Sequence, residues 1–388
     1  MIDFHPTSAS NQPSSASALV DVAQGTGPAQ APVARESQPG AHGAPDGARS
    51  LLKNHFKNAH VHFCAGWSSA LYTALLASNV EPGDEVIIPA LAPAGVAHAV
   101  LLAKAKPVLV DVAPDTQLLA PEAVLAAITE RTRCVVLCNL YGQVVPQAAL
   151  HEDLTRRSIA LVEDGSDAFL AFGVYDQPAA HCDLLVGCLP GMREVEGELP
   201  AFIVTRNASH HARMSYWTAQ HDVAARLFQF DAPAMEEAPY VDLVSSLDET
   251  QDTHFQTCIS YSLNTRELIG KQTAIYDESF AGLGLKTLPL GEIGVRIPQS
   301  YPIAVDPALR NELFELLCHE GFKVHVTYRN LDQLKFFQRS ESGDIFPNAA
   351  SWSAGAISLP TGTRLCYKEQ IQLCATVKNF LTLRQHRA

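Results

Sequence analysis

The 388-residue chain is short of positive charge: 28 Lys and Arg stand against 41 Asp and Glu, a formal net charge of −13. No Lys/Arg stripe interrupts that acidic balance, which excludes a nucleic-acid partner held through its phosphates. Any run of 18 apolar residues is also missing. The best candidate, residues 88–103, is broken by Pro89, Pro93 and His98, so no membrane-spanning helix is expected. The nine Cys include no CxxC pair. Cys134 and Cys138, in CVVLC, would stand ~13 Å apart on one face of a strand at ~3.3 Å per residue, too far for a disulfide or a shared metal ion. The cysteines therefore read as reduced core residues of a cytoplasmic protein. Histidine offers no ligand set either. His210, His211 and His221 would point apart on a helix and read as solvated, while His60 and His62 share a strand face without a third ligand. No internal repeat is found.

What is present begins with a segment unlike the rest. Residues 1–49 are rich in Ser, Ala, Pro, Gly and Gln and almost free of aromatic rings. Such a composition cannot bury enough apolar surface to offset its ordering entropy, so a disordered tail is expected there. It lacks the positive start and apolar block of a secretory signal. From Leu51 the pattern turns regular: a short helix (LLKNHFKN), HVHFC, a helix SSALYTALLAS, strand EVII, helix APAGVAHAVLLA, strand PVLVDV, helix PEAVLAAITE and strand CVVLC. A helix over 146–156 then precedes the strand IALVED. Strands alternating with helices at this spacing predict an α/β domain with a mostly parallel, doubly wound sheet covered on both faces. Ligand sites in such sheets lie at the carboxyl ends of strands, which puts residues 64–69, 89–93, 139–142 and 164–167 on one rim. Beyond about residue 280, IPQSYPIAV, HEGFKVHVTY and SWSAGAISLP alternate with helices such as PALRNELFELLCHE, the pattern of a smaller α+β domain. The domains are accordingly set at 1–49, 50–270 and 271–388.

PGDEVIIPA, NLYGQ and VED, together with the flanking runs EPGDEVIIPALAPAGVAHAVLLAKAKPVLVDVAPDT, ITERTRCVVLCNLYGQ and IALVEDGSDAF, resemble the sugar aminotransferases of the DegT/StrS type. The C-terminal FPNAASWSAGAISLPTGT is similar to that family's last domain, so the likeness runs from about 50 to 385. It implies fold type I, pyridoxal phosphate (PLP) as cofactor, a keto-sugar substrate, and a homodimer whose active sites draw on both subunits.

Residue by residue, the resemblance implies one retained feature and several departures. Asp164 matches the carboxylate that faces the pyridine nitrogen and keeps it protonated. Ser68 falls where a Thr at a helix start would meet the cofactor phosphate, but Trp67 replaces the Gly that lets the backbone approach. Ser68 is equally a plain helix cap. Pro93 stands where an aromatic ring would stack, Asp167 where a Gln would meet the cofactor hydroxyl, and Cys188 where a Ser would help hold the phosphate. In the segment CDLLVGCLPGMREVEGELPAFIVT, residues 182–205, Arg193 aligns with the Schiff-base lysine, with Met192 beside it. The nearest lysines in sequence, Lys106 and Lys271, lie in no matching loop. An imine needs an amine that can lose its proton, and a guanidinium cannot supply one. The partner-subunit phosphate contact, normally Asn-x-Arg, aligns with Glu249 and Gln251. A carboxylate ~4 Å from a phosphate charge costs ~4 kcal/mol at an effective dielectric of ~20.

These departures imply a divergent member that does not transaminate and holds no cofactor, with PLP or its amine form (PMP) as the alternative. Three functions follow. In the first, a PLP-independent biosynthetic enzyme uses Asp164, Asp167 and Arg193 on a small sugar or specialised metabolite. In the second, the chain is a non-catalytic or regulatory partner of an active paralogue, paired through the family's interface. The third keeps PLP or PMP for nucleotide-sugar amination or dehydration.

Overall fold

The computed structural model describes residues 47–64, 66–144, 147–172, 179–188, 201–227, 249–288, 295–334, 337 and 346–385. The tail expected over 1–49 lies outside them except for its last three residues, which correct its boundary. Helix α1 (Gly47–His55) already starts there, with Ala48 fully buried and its N–H donating to Asp252 Oδ1 at 3.1 Å.

The first elements alternate as the spacing requires. They are β1 (His60–Cys64), α2 (Trp67–Ala77), β2 (Glu85–Pro89), α3 (Ala94–Leu102), β3 (Lys106–Val110) and α4 (Pro121–Ala127). Next come β4 (Thr132–Cys138), β5 (Gln143–Val144), α5 (Ala148–Arg156), β6 (Ala160–Asp164), α6 (Phe169–Phe172), β7 (Leu184–Cys188), β8 (Ala201–Thr205) and α7 (Ala208–Leu227). Three of the helix-to-strand connections use one device. Asn79, Lys104 and Ser158 adopt left-handed backbone (φ 57°, 56° and 60°), and the residue after each donates back to a carbonyl five positions earlier. That bond pattern stops a helix and aims the chain at the next strand.

Seven strands pair in the order β1-β8-β7-β6-β4-β2-β3. From β3 to β7 every pairing is parallel, while β8 runs antiparallel to both β7 and β1. β2 reads EVIIP and is buried at every position, because both faces of the sheet are covered. One core holds Leu71, Val96, Ile88, Val136, Val162 and Ile203 on the face of α2 and α3; the other holds Phe56, Ile87, Leu161 and Phe255 on the opposite face.

The long helix α8 (Glu249–Phe280) carries the chain onward. The domain boundary expected after 270 falls inside this helix, whose Phe255 and Ile259 pack in the large core and Tyr276 and Phe280 in a third core. There follow β9 (Lys286–Thr287), β10 (Val295–Arg296), β11 (Ser300–Ala304), α9 (Pro307–His319), α10 (Pro347–Gly355), β12 (Ala356–Pro360) and α11 (Tyr367–Gln385); β11, α9, β12 and α11 build the third core, while Ala349 and Trp352 of α10 pack into the first. β12, β11 and β9 form a small antiparallel sheet, and β10 pairs back with β5.

All nine cysteines are free thiols, but they are not all core residues: Cys318 and Cys366 are exposed and Cys258 is half-buried. The histidines also depart from expectation. His210 is buried, and the half-buried ring of His211 stacks on His60 at 4.6 Å and 13°. The side chain of His221 lies outside the described residues. No group of metal-ligating residues, and no helix long and apolar enough to cross a membrane, occurs among the described residues.

Candidate functional site

The parallel registers set Cys138 and Asp164, which end β4 and β6, side by side with Val186 in the middle of β7. Alternation along β6 then divides two acids. Glu163 turns to the α1/α8 face, while Asp164 turns to the face covered by α2 and α3. A small cleft opens above Asp164, with an empty volume of about 170 Å³ and walls of Pro93, Asn139, Leu140, Asp164, Ser166, Asp167 and Tyr328. The sequence-derived residues Pro93, Asp164 and Asp167 do meet here.

Asp164 is 5% exposed, and its Oδ1 accepts three hydrogen bonds. Ser166 gives two, from its N–H at 3.1 Å and its hydroxyl at 2.6 Å; the third comes from the indole Nε1 of Trp67 at 3.1 Å. Burial pushes the Asp164 carboxyl above its ordinary range; the Ser166 and Trp67 bonds oppose that rise, and the charge of Asp167 adds to it. No cationic side chain lines the cleft among the described residues.

Trp67 is the first residue of α2, following Gly66 at the cap, so its side chain leaves the helix start across the strand ends. The edge of its indole lies on Gly95, in the first turn of α3. A Cβ built at Gly95 would stand 2.3 Å from Cζ3 and 3.1 Å from Cη2 of Trp67. Ser68 follows in the same first turn and is half-buried. Pro93 is the N-cap residue of α3, at φ −58°. Cys188 ends β7, two positions past the partner of Asp164, and is buried.

Several residues of the site carry no sequence signal. Tyr328, from the segment between α9 and α10, donates its hydroxyl to Asp167 Oδ2. Its backbone N–H donates to the hydroxyl of Tyr141 at 3.2 Å, which in turn donates to Thr327 O at 2.8 Å and accepts from Trp352 Nε1 at 2.9 Å. Burial pushes the Tyr141 phenol well above its ordinary range, so it stays protonated as a strut. Asn139 lines the cleft while its amide donates to Glu163 Oε1 at 2.5 Å, tying the two faces of β6 together. Asn139 and Ser166 fall within the rim segments read from the strand ends; Tyr328 and Trp352 come from a distant stretch that no spacing connects to the rim.

The lysines nearest in sequence do not reach the cleft. Lys106 begins β3, at the opposite end of the sheet, and pairs with Glu85 at 3.1 Å. Lys271 lies on the exposed surface of α8 and pairs with Glu267 at 2.7 Å. Arg193 and Met192 lie outside the described residues, as do the side chains of Glu249 and Gln251.

The described residues do not fit a PLP ring in this arrangement. Asp164 suits a protonated pyridine nitrogen, but the N–H it meets is the indole of Trp67. Pro93 offers no π face, and Asp167 adds a second carboxylate to the wall of the cleft.

The fold nevertheless matches solved structures of PLP enzymes. DesV of S. venezuelae, in complex with a ketimine intermediate, superposes with a TM-score of 0.72 at 21% identity, over 87% of this chain and 88% of that one. The ntda protein of Bacillus subtilis, with bound cofactor PMP, gives 0.73 at 19% identity, over 86% and 77%. Curated relatives match over shorter stretches. The UDP-2-acetamido-2-deoxy-3-oxo-D-glucuronate aminotransferase of Pseudomonas aeruginosa is 39% identical over 106 residues, 27% of this chain and 30% of that protein. The L-glutamine:2-deoxy-scyllo-inosose aminotransferase of Streptomyces lividus is 43% identical over 110 residues, 28% and 26% of the two chains. The matched stretch thus spans less than a third of either relative. The DegT/DnrJ/EryC1/StrS aminotransferase family model matches residues 50–176 and 263–378, more than half of the sequence. The chain belongs to the DegT/DnrJ/EryC1/StrS aminotransferase family.

Proposed function

We propose that this chain is a family member that does not transaminate and serves sugar or specialised-metabolite biosynthesis as a non-catalytic subunit, paired with itself or with an active relative. One observation carries the reading: Oδ1 of Asp164, the carboxylate that would anchor a pyridinium, already accepts three neutral donors, one of them the Trp67 indole. Arg193 at the lysine position supports it from the sequence, because a guanidinium forms no imine at working pH. What the chain retains is the fold and, by the family's habit, a pairing surface. A subunit can lend such a surface without lending chemistry.

A second reading, PLP- or PMP-dependent amination of a keto-sugar, is favoured by the retained Asp164 and by relatives 38–44% identical over matched stretches that are themselves named aminotransferases. One experiment separates the two. The purified full chain is incubated with PLP, reduced with borohydride and weighed by mass spectrometry, while a parallel sample is assayed with glutamate and glutamine as amino donors. The proposal expects no reduced adduct and no half-reaction. A stoichiometric adduct on any lysine returns the chain to the active aminotransferases.

A further inference from the structure

We infer that Trp67 is what closes this cleft: its indole is an internal substitute for a pyridine-type ring, seated on Gly95 and hydrogen-bonded to Asp164. The inference rests on the reading above. It adds the residue responsible and the class of ligand the site takes once that residue is removed, a planar heteroaromatic ring with one N–H donor on its edge.

Three contacts from three elements support it. The start of α2 projects the side chain over the strand ends, Gly95 at the start of α3 receives the edge of the six-membered ring, and Asp164 at the end of β6 receives the N–H at 3.1 Å. Gly95 fits Trp67 as a pair. Its backbone lies so close to the ring that any added carbon would fall 2.3 Å from Cζ3, a separation at which the indole has to move. A pyridinium and an indole are both flat and apolar in the face, and each carries one N–H in the ring plane, so the same carboxylate can hold either. They differ in charge. The pyridinium would neutralise Asp164; the indole does not, and the buried carboxylate is left beside Asp167 without a counter-charge among the described residues lining the cleft.

The test uses the full chain and four variants: Trp67→Gly, Trp67→Phe, Gly95→Ala, and Trp67→Gly combined with Asp164→Asn. The probes are pyridoxamine and its 5′-phosphate, followed by ligand fluorescence and by the shift of the melting temperature. The unmodified chain is expected to show no saturable binding. Trp67→Gly binds at least one of the two probes at least tenfold more tightly and melts higher in its presence. Adding Asp164→Asn abolishes that gain. Trp67→Phe, which keeps a ring in the space, stays closed. Gly95→Ala, which leaves Trp67 in the chain but denies its seat, gains binding as well, and it keeps the test alive if Trp67→Gly does not fold. A cooperatively melting Trp67→Gly that binds neither probe overturns the inference, as does an unmodified chain that binds equally well. Failure of the inference is separable from failure of the proposed function: an imine in the unmodified chain sinks the latter, whereas a colourless unmodified chain with a non-binding Trp67→Gly sinks only the former.

Discussion

Two buried carboxylates at opposite ends of one sheet show how differently the same chemical group can be treated. Glu85, at the start of β2, is 2% exposed and accepts from Lys106 at 3.1 Å, Arg131 at 2.8 Å and the Thr129 hydroxyl at 2.6 Å. Burial would raise its carboxyl, but those hydrogen bonds and the two cations outweigh it, and the group sits below the ordinary range. Asp164, at the end of β6, is equally buried, receives only neutral donors among the described residues, has Asp167 as a neighbour, and sits above the ordinary range. The first is a structural pin at the amino ends of the strands. The second is a destabilised acid at the carboxyl ends, where this architecture keeps its chemistry. Trp67 and Ser166 supply the hydrogen bonds that satisfy this acid.

The comparison can be broken by pH, provided a third group is controlled. His62 is pushed down to about 4, first by burial and then by the charges of His211 and Arg49. A histidine whose folded pKa is depressed is bound neutral, so its contribution is complete above pH 6.5 and is lost as the pH falls towards 4. The loss comes to roughly 3 kcal/mol. Urea midpoints measured from pH 7.5 down to 4.5 should fall by that order, and His62→Gln should flatten the fall. His55, also pushed down to about 4 by burial and by Arg266, adds a second decline that His62→Gln leaves in place.

Above pH 7 the carboxylates can be compared directly. Glu85→Ala removes the partner of Lys106, Arg131 and Thr129 and should cost about 2 kcal/mol in urea unfolding. The discount for those exposed cations is already in that figure. Tyr328→Phe deletes a hydrogen bond to Asp167 and should cost about 1 kcal/mol. Asp164→Asn should change stability by less than about 1 kcal/mol, because it relieves a buried charge while leaving the Ser166 and Trp67 donors an amide oxygen to meet. If Asp164→Asn proves as costly as Glu85→Ala, the two acids are structurally equivalent and the contrast dissolves.

The alternation that made the fold legible is physical: β2 and β6 are short apolar runs between helices, and a parallel sheet buries both faces of such runs. The rim followed, since strand ends could be counted. Asp164, Asp167 and Pro93 therefore fall together on the rim from the sequence alone. Trp67 was legible as a departure from a Gly, yet its contact with Asp164 was not, because the direction of an indole depends on Gly95 in another helix. Tyr328 was illegible for a simpler reason. It reaches Asp167 across 161 residues of sequence, and nothing local marks such a pairing. His210 departs in the same way: it reads as solvated from the sequence and is buried.

The account turns on the bond from Trp67 to Asp164, and nitrogen-15 NMR of the indole N–H groups reads it directly. The chain has three tryptophans, so three signals are expected. The signals of Trp67 and of Trp352, which donates to Tyr141, should exchange slowly with solvent; the one that disappears in Trp67→Phe should move in Asp164→Asn and remain unmoved when PLP is added in excess. A Trp67 indole signal that exchanges as fast as an exposed one, or that PLP displaces, contradicts the claim that this side chain holds the carboxylate in the cofactor's place.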